Sequence, residues 1–183
     1  YAKANPGKLN YASAGIGAAN HLQIEYLMNA VGIRMTHIPY KSDAEVTQQV
    51  AGGEGAHFSV GGPLGAQAVA AAGKVRLLAV IGNRRLAGLP DVPSVAELGI
   101  DELKDLDSYV YYAVLGPAGM APDLVAKINQ AVNQVSATPE VAERMRTGLF
   151  VEPAGGTPED LRQYLAKDFA KWQRLARSIK LEP

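Results

Sequence analysis

No cysteine occurs among the 183 residues, which excludes disulfides, thiolate metal sites and cysteine nucleophiles together. Histidine is scarce: His21, His37 and His57 stand too far apart for a local metal motif, and no His-Glu-x-x-His pattern occurs. No metal and no cofactor are therefore expected. Neither sign of charge prevails, because 18 Lys+Arg meet 18 Asp+Glu. A chain without a basic surplus has little with which to neutralise phosphates, so a nucleic-acid partner is not expected. Apolar residues never run for the roughly 18 positions that a membrane helix needs, and no signal-peptide pattern stands at the start. Aromatics make up only 7% of the chain, with Trp172 the single tryptophan.

What is plentiful is punctuation. The 19 glycines and 11 prolines are spread along the chain, which divides it into many short elements. The apolar fraction of 48% is that of a globular protein.

Tyr1 to Gly7 reads as the last turn of a helix halted by Asn5-Pro6-Gly7. One turn cannot nucleate alone, so the reading favours a chain whose preceding sequence is missing. Leu9 to Ser13 alternates as a strand. A turn follows at Ala14 to Gly17, then a helix over 18–30 with Leu22, Tyr26 and Ala30 four apart. Arg34 to Pro39 and Ala56 to Val60 read as further strands, and 43–50 and 64–72 as helices stopped by Gly52-Gly53 and Gly73. Val75 to Ile81 is nearly all apolar, the pattern of a strand buried on both faces. Strand–helix alternation with short connections predicts an α/β fold, a mainly parallel sheet with helices on both faces.

The rhythm then breaks. Arg84 to Pro93 is an irregular loop, 95–98 a short helix, and Tyr109 to Leu115 a strand closed by Gly116-Pro117. Tyr109, Tyr111 and Tyr112 either line a cleft or fill a strand core or hinge. Beyond, 122–135 puts Leu124, Ile128, Val132 and Val135 on one stripe, and Pro139 to Met145 is a helix with Thr138 as its cap. Thr157-Pro-Glu-Asp160 is a helix start with a hydroxyl cap, Pro at the first position and acids at the positive end. Its helix carries Leu161, Leu165, Phe169, Trp172 and Ile179 on the apolar side. The change of pattern between about Asp101 and Pro117 marks the candidate domain boundary.

Chemistry concentrates at strand ends. The turn Ser13-Ala14-Gly15-Ile16-Gly17-Ala18 joins a strand to a helix, where glycines let amides approach a ligand and the helix start favours an anion. An ordinary tight turn has the same sequence features. It is not a dinucleotide fingerprint, a Walker loop or a Gly-x-Ser-x-Gly elbow, so Ser13 has no nucleophile context and no enzyme is expected. His21, in the next helical turn, is placed to hydrogen-bond across the glycines. His37 and His57 read as satisfied core or rim residues. Tyr40-Lys41 and Gly61-Gly62 follow the next two strands in the same position, and open α/β sheets bind ligands at that end.

Several segments together resemble the substrate-binding receptors of tripartite tricarboxylate transporters, the TctC or Bug family. They are Gly7 to Leu22, His37-Ile-Pro-Tyr-Lys41, Ala72 to Val80, Leu89 to Glu97, Gly116-Pro-Ala-Gly119 and Gly155-Gly-Thr-Pro-Glu159. The resemblance implies a type II periplasmic-binding-protein architecture, with two lobes closing on a small carboxylate. Residues 1–108 would be the second, ligand-binding lobe, 109–116 a crossover hinge strand, and 117–183 a helical segment returning to the first lobe, whose N-terminal part is missing. The family's turn falls on Ser13, Gly15 and Gly17, and its Pro-Tyr-Lys loop on Pro39, Tyr40 and Lys41. The chain departs from the pattern at Ala18 (often Ser), at Ser42-Asp43 (commonly Gly) and at Gly61-Gly62 (usually polar residues). The implied ligand site is Ser13, Ala14, Gly15, Gly17, Ala18, His21, Tyr40, Lys41, Gly61 and Gly62. The implied partners are a small carboxylate and membrane transporter subunits, the location the periplasm. The effector domain of a transcriptional regulator shares this architecture and is the alternative. Without the first lobe the C-terminal helices would expose an apolar face and associate with copies of themselves.

Overall fold

The computed structural model describes residues 1–53, 55–103, 106 and 111–178. Three parallel strands, β1 (Asn10–Ser13), β2 (Thr36–Pro39) and β3 (Phe58–Ser59), form a sheet in the order β2-β1-β3. Between them run α1 (Ala19–Val31) and α2 (Asp43–Gly52), and α3 (Pro63–Ala71) follows β3. This is the expected α/β, mainly parallel arrangement.

The central strand decides what lies on each face, because successive side chains of a strand point to opposite sides. Tyr11 is fully buried against Ile24 and Met28 of α1, with Phe58 of β3 and Val60 just beyond it joining. Ala12 faces the other way and packs with Val46 of α2, Ala56 and Tyr40. Helices thus cover both faces. Each large apolar side chain taken out of water here contributes about 1.5–3 kcal/mol. The outer side of α1 is covered in turn: Tyr26, Leu27, Ala30 and Val31 meet Val95, Leu103 and Leu106. Those residues lie in and beside two 3-10 turns, Val95–Leu98 and Asp101–Leu103.

Beyond the sheet lie α4 (Pro122–Ser136), α5 (Pro139–Glu143), which widens into a π-type turn at Arg144–Gly148, and α6 (Pro158–Ser178). At the start of α6, Thr157 Oγ1 accepts from the Asp160 N–H at 3.1 Å and Asp160 Oδ2 accepts from the Thr157 N–H at 2.8 Å. The expected start signal is therefore in place. At the chain start, the Asn5 N–H donates to Tyr1 O at 3.0 Å, a single α-type turn.

Three expectations are corrected. Val75–Ile81 is not a doubly buried strand: Leu78 is 60% exposed, and among the described residues the run pairs only where Val80 bridges Ser94. An apolar run becomes a strand only where a partner backbone runs alongside, and here that partner is a short segment around residue 94. The strand expected over Tyr109–Leu115 falls partly outside the described residues. The remainder, 111–115, pairs with no strand among the described residues. Thr138 takes the expected N-cap position of α5 but makes no capping bond, because its hydroxyl donates back to Val135 O at 2.8 Å. Ile179, expected on the α6 stripe, lies outside the described residues.

Candidate functional site

All three strands run parallel, so the connections after β1, β2 and β3 open at one edge of the sheet. Chain direction, not sequence proximity, brings together the glycine turn, Tyr40-Lys41 and Gly61-Gly62. The order β2-β1-β3 places the reversal of strand order between β1 and β3, where open sheets form a crevice.

The glycine turn rests on a buried polar base. Gly15 (φ 116°) and Gly17 (φ 79°) take conformations that L side chains resist. The His21 ring, 2% exposed, accepts the Gly17 N–H at Nδ1 over 3.1 Å. Its proton therefore sits on Nε2, facing Glu25 Oε1 at 4.0 Å. His37 stacks on His21 with ring centres 4.2 Å apart, and Tyr11 stacks on His37 at 4.8 Å. Pairing of Tyr11 with His37 across β1 and β2 sets this stack. The Tyr11 hydroxyl donates to Glu25 Oε1 at 2.5 Å.

Ser13, one of the implied ligand residues, lies beneath the turn. It is fully buried, its Oγ lies 2.7 Å from His37 Nε2 and donates to Gly15 O at 3.1 Å. A hydroxyl has one proton, so His37 supplies the other hydrogen of this chain. Ser13 thus props the turn from below. Several amides are also satisfied within the loop: Ala14 N–H by Asn20 Oδ1 (3.2 Å), Gly15 N–H by Ser13 Oγ (3.3 Å), and Ala18 N–H by Gly15 O (3.2 Å). With Gly17 held by His21, the N–H groups of Ile16, Ala19 and Asn20 are those left without a partner among the described residues.

Tyr40 is tied to β1 through its N–H to Ser13 O at 2.8 Å, and its ring belongs to the core on the α2 face. Lys41 is exposed, its N–H donating to Glu45 Oε2 at 3.0 Å. Gly61 and Gly62 are exposed with open space around them, and Gly62 caps α3. His57 is exposed; its Nδ1 accepts the Asn10 N–H at 3.0 Å, away from this edge. The one supporting residue that spacing did not single out is Asn20, whose short amide accepts backbone N–H groups, a habit of Asn near helix starts.

Burial holds both stacked histidines neutral. Burial first, and then the neighbouring His21, push the His37 pKa down to about 4. Burial also lowers His21, against the opposing pull of Glu25. Burial and then Glu25 raise the Tyr11 phenol far above its ordinary range. A histidine with a lowered folded-state pKa takes up its proton earlier in the unfolded chain. Stability is then full above about pH 6.5 and falls as the pH drops toward about 4. Urea denaturation is accordingly expected to show a decline already between about pH 6.5 and 5, above the range of the lowered Glu97 and Asp160 carboxyls. His37→Asn should flatten that decline. A flat profile there would remove the assignment of buried neutral imidazoles.

The strand-end edge is thus a parallel α/β edge with glycine turns and open amides. Solved structures share this fold: R. palustris Rpa4515 with adipate aligns with a TM-score of 0.87 at 26% identity, over 97% of this chain and 57% of that one. The periplasmic binding protein BugD aligns at 0.78 and 27%, over 100% and 60%. Residues 1–181 match the tripartite tricarboxylate transporter family receptor (TctC), and the chain belongs to that family. A relative from Cupriavidus necator, the UPF0065 protein in the gbd 5' region, is 32% identical over 99% of this chain and 53% of its own length. The chain spans about half the length of the curated relatives it matches. The family is one of receptors.

Proposed function

We propose that this chain forms the ligand-facing part of a periplasmic receptor that takes a small organic carboxylate and presents it to the membrane subunits of a tripartite tricarboxylate-type transporter. The observation that carries the reading is the set of open amides at Ile16, Ala19 and Asn20, at the start of α1 and beside the crevice between β1 and β3. Unpaired N–H groups and the partial positive charge of a helix start favour a carboxylate. Gly61 and Gly62, across the crevice, leave room for the body of the ligand. Ser13 and His21 act as supports beneath the turn, whereas Ala14, Gly15, Gly17 and Ala18 shape it. Tyr40, its ring packed on the α2 face, anchors the second loop, and Lys41 supplies a cation. Family membership and a structural neighbour holding adipate support the same chemistry. Binding selects the closed form because only a ligand touching both walls of a cleft favours closure. Among the described residues, no helix is long and apolar enough to cross a membrane.

The test is a thermal-shift and calorimetric panel on the full-length protein, with adipate, a tricarboxylate and aromatic acids. A ligand at about 100 times its Kd stabilises by about 2.7 kcal/mol, a readily measured rise in Tm. A panel that produces neither heat nor shift contradicts the proposal.

The apolar stripe of α4 supports a second element of the reading. Leu124, Ile128, Val132 and Val135 are 38–56% exposed, and Val114, Leu115 and Phe169 more so. We infer that the chain by itself associates with copies of itself through such surface. Sedimentation of residues 1–183 should show concentration-dependent mass, and a strictly monomeric profile would refute this.

A further inference from the structure

We propose that Asn20 is a positioning residue: its side chain locks the glycine turn after β1 to the loop after β2, so that the two meet a carboxylate as one rigid unit. The proposal rests on the receptor reading above and adds the part that keeps the site in shape. Asn20 is 7% exposed. Its Oδ1 accepts the Ala14 N–H at 3.2 Å and the His21 N–H at 3.0 Å, and its Nδ2 donates to Asp43 Oδ1 at 2.9 Å. Two backbone donors require the amide oxygen and a carboxylate requires the NH2, so the chemistry fixes which way the amide points. One buried side chain therefore joins the turn, the first turn of α1 and the first residue of α2.

The residues in the second loop are arranged to receive it. Ser42 caps α2 by accepting the Glu45 N–H at 3.2 Å, which leaves the next residue, Asp43, at the helix start beside Asn20. The two loops are otherwise tied at the sheet edge, where the Tyr40 N–H donates to Ser13 O. Asn20 supplies a second tie farther along the chain from the strands. Without it the turn populates forms in which the open amides no longer converge, and apparent affinity falls by the lost fraction.

Adipate titrations of the full-length protein between pH 5 and 8 test this, with Asn20→Asp, Asp43→Asn and the double variant. Asn20→Asp sets two carboxylates against each other and raises the pKa of the pair. Its affinity should be about tenfold lower than wild type at pH 7.5 and recover as the pH falls and the pair gains a shared proton. Asp43→Asn in the same chain restores the opposite pairing and should bring affinity at pH 7.5 back to within about threefold of wild type. The charged and titratable groups packed around the pair, His21, His37, Tyr11 and Glu25 in the stack and Lys41 and Glu45 in the second loop, are the same in every variant, so the ratio to the wild-type profile at each pH isolates the Asn20–Asp43 pair. A purely structural role would lower Tm without the pH-dependent ratio or the rescue. Wild-type affinity in Asn20→Asp, or no rescue by Asp43→Asn, overturns the proposal. Should the wild-type protein take no acid of the panel, the receptor reading falls. Amide exchange at Ala14 and His21 then decides the clamp: faster in Asn20→Asp and slowed again in the double variant supports it, and unchanged exchange overturns it.

Discussion

Tyr11→Ala is expected to cost about 3–5 kcal/mol of folding stability, a loss that a domain of ordinary stability barely survives. Tyr11 is fully buried in the central strand, packs on Ile24 and Met28, and stacks on His37. Its truncation empties the core on the α1 face and removes the floor of the histidine stack. Tyr11→Phe keeps the ring and removes only the hydrogen bond to Glu25, so its cost should be about 1 kcal/mol. Urea denaturation of the two variants separates packing from hydrogen bonding. A loss below about 1 kcal/mol for Tyr11→Ala would mean that the core is not organised around this strand.

Gly15→Val is expected to leave the sheet intact and lower carboxylate affinity about 10- to 100-fold. Gly15 has a φ of 116°, outside the small left-handed region that other residues visit. A β-branched side chain there strains the backbone by about 1–3 kcal/mol, which the turn relieves by moving. A Cβ at this position would lie 3.8 Å from Tyr40 O, an ordinary contact, so the effect is conformational and not a clash. Gly17, at φ 79°, is closer to a conformation that Asn adopts, and Gly17→Asn should be the milder change. Calorimetry on both variants checks the order. Equal, small losses would show that the turn's shape is not what binds.

Local elements were largely legible in the sequence because their signals are local. Glycines and prolines bounded α1, α2 and α3 to within about two residues, and Thr157-Pro158 announced α6. The parallel edge followed from strand–helix alternation. Pairing was less legible. Val75–Ile81 carries a strand's composition, yet composition does not supply a neighbouring backbone, and Leu78 ends in solvent. The same limit hid the base of the site. His37 reads correctly as a satisfied histidine, but its stacking between Tyr11 and His21 depends on strand register and on residues up to 26 apart (His37 minus Tyr11). Ser13 reads as a donor at a strand end, whereas its side chain points with Tyr11 into the α1 face and bonds His37. Asn20 and Asp43 come together over 23 residues, and neither forms a motif alone.

The most direct measurement is an amide-resolved NMR titration of the full-length, ¹⁵N-labelled protein with adipate. Saturable downfield shifts at the Ile16, Ala19 and Asn20 amides are predicted, with a much smaller change at Gly17, whose N–H is already held by His21. Saturable binding that leaves those three amides unmoved would contradict the account.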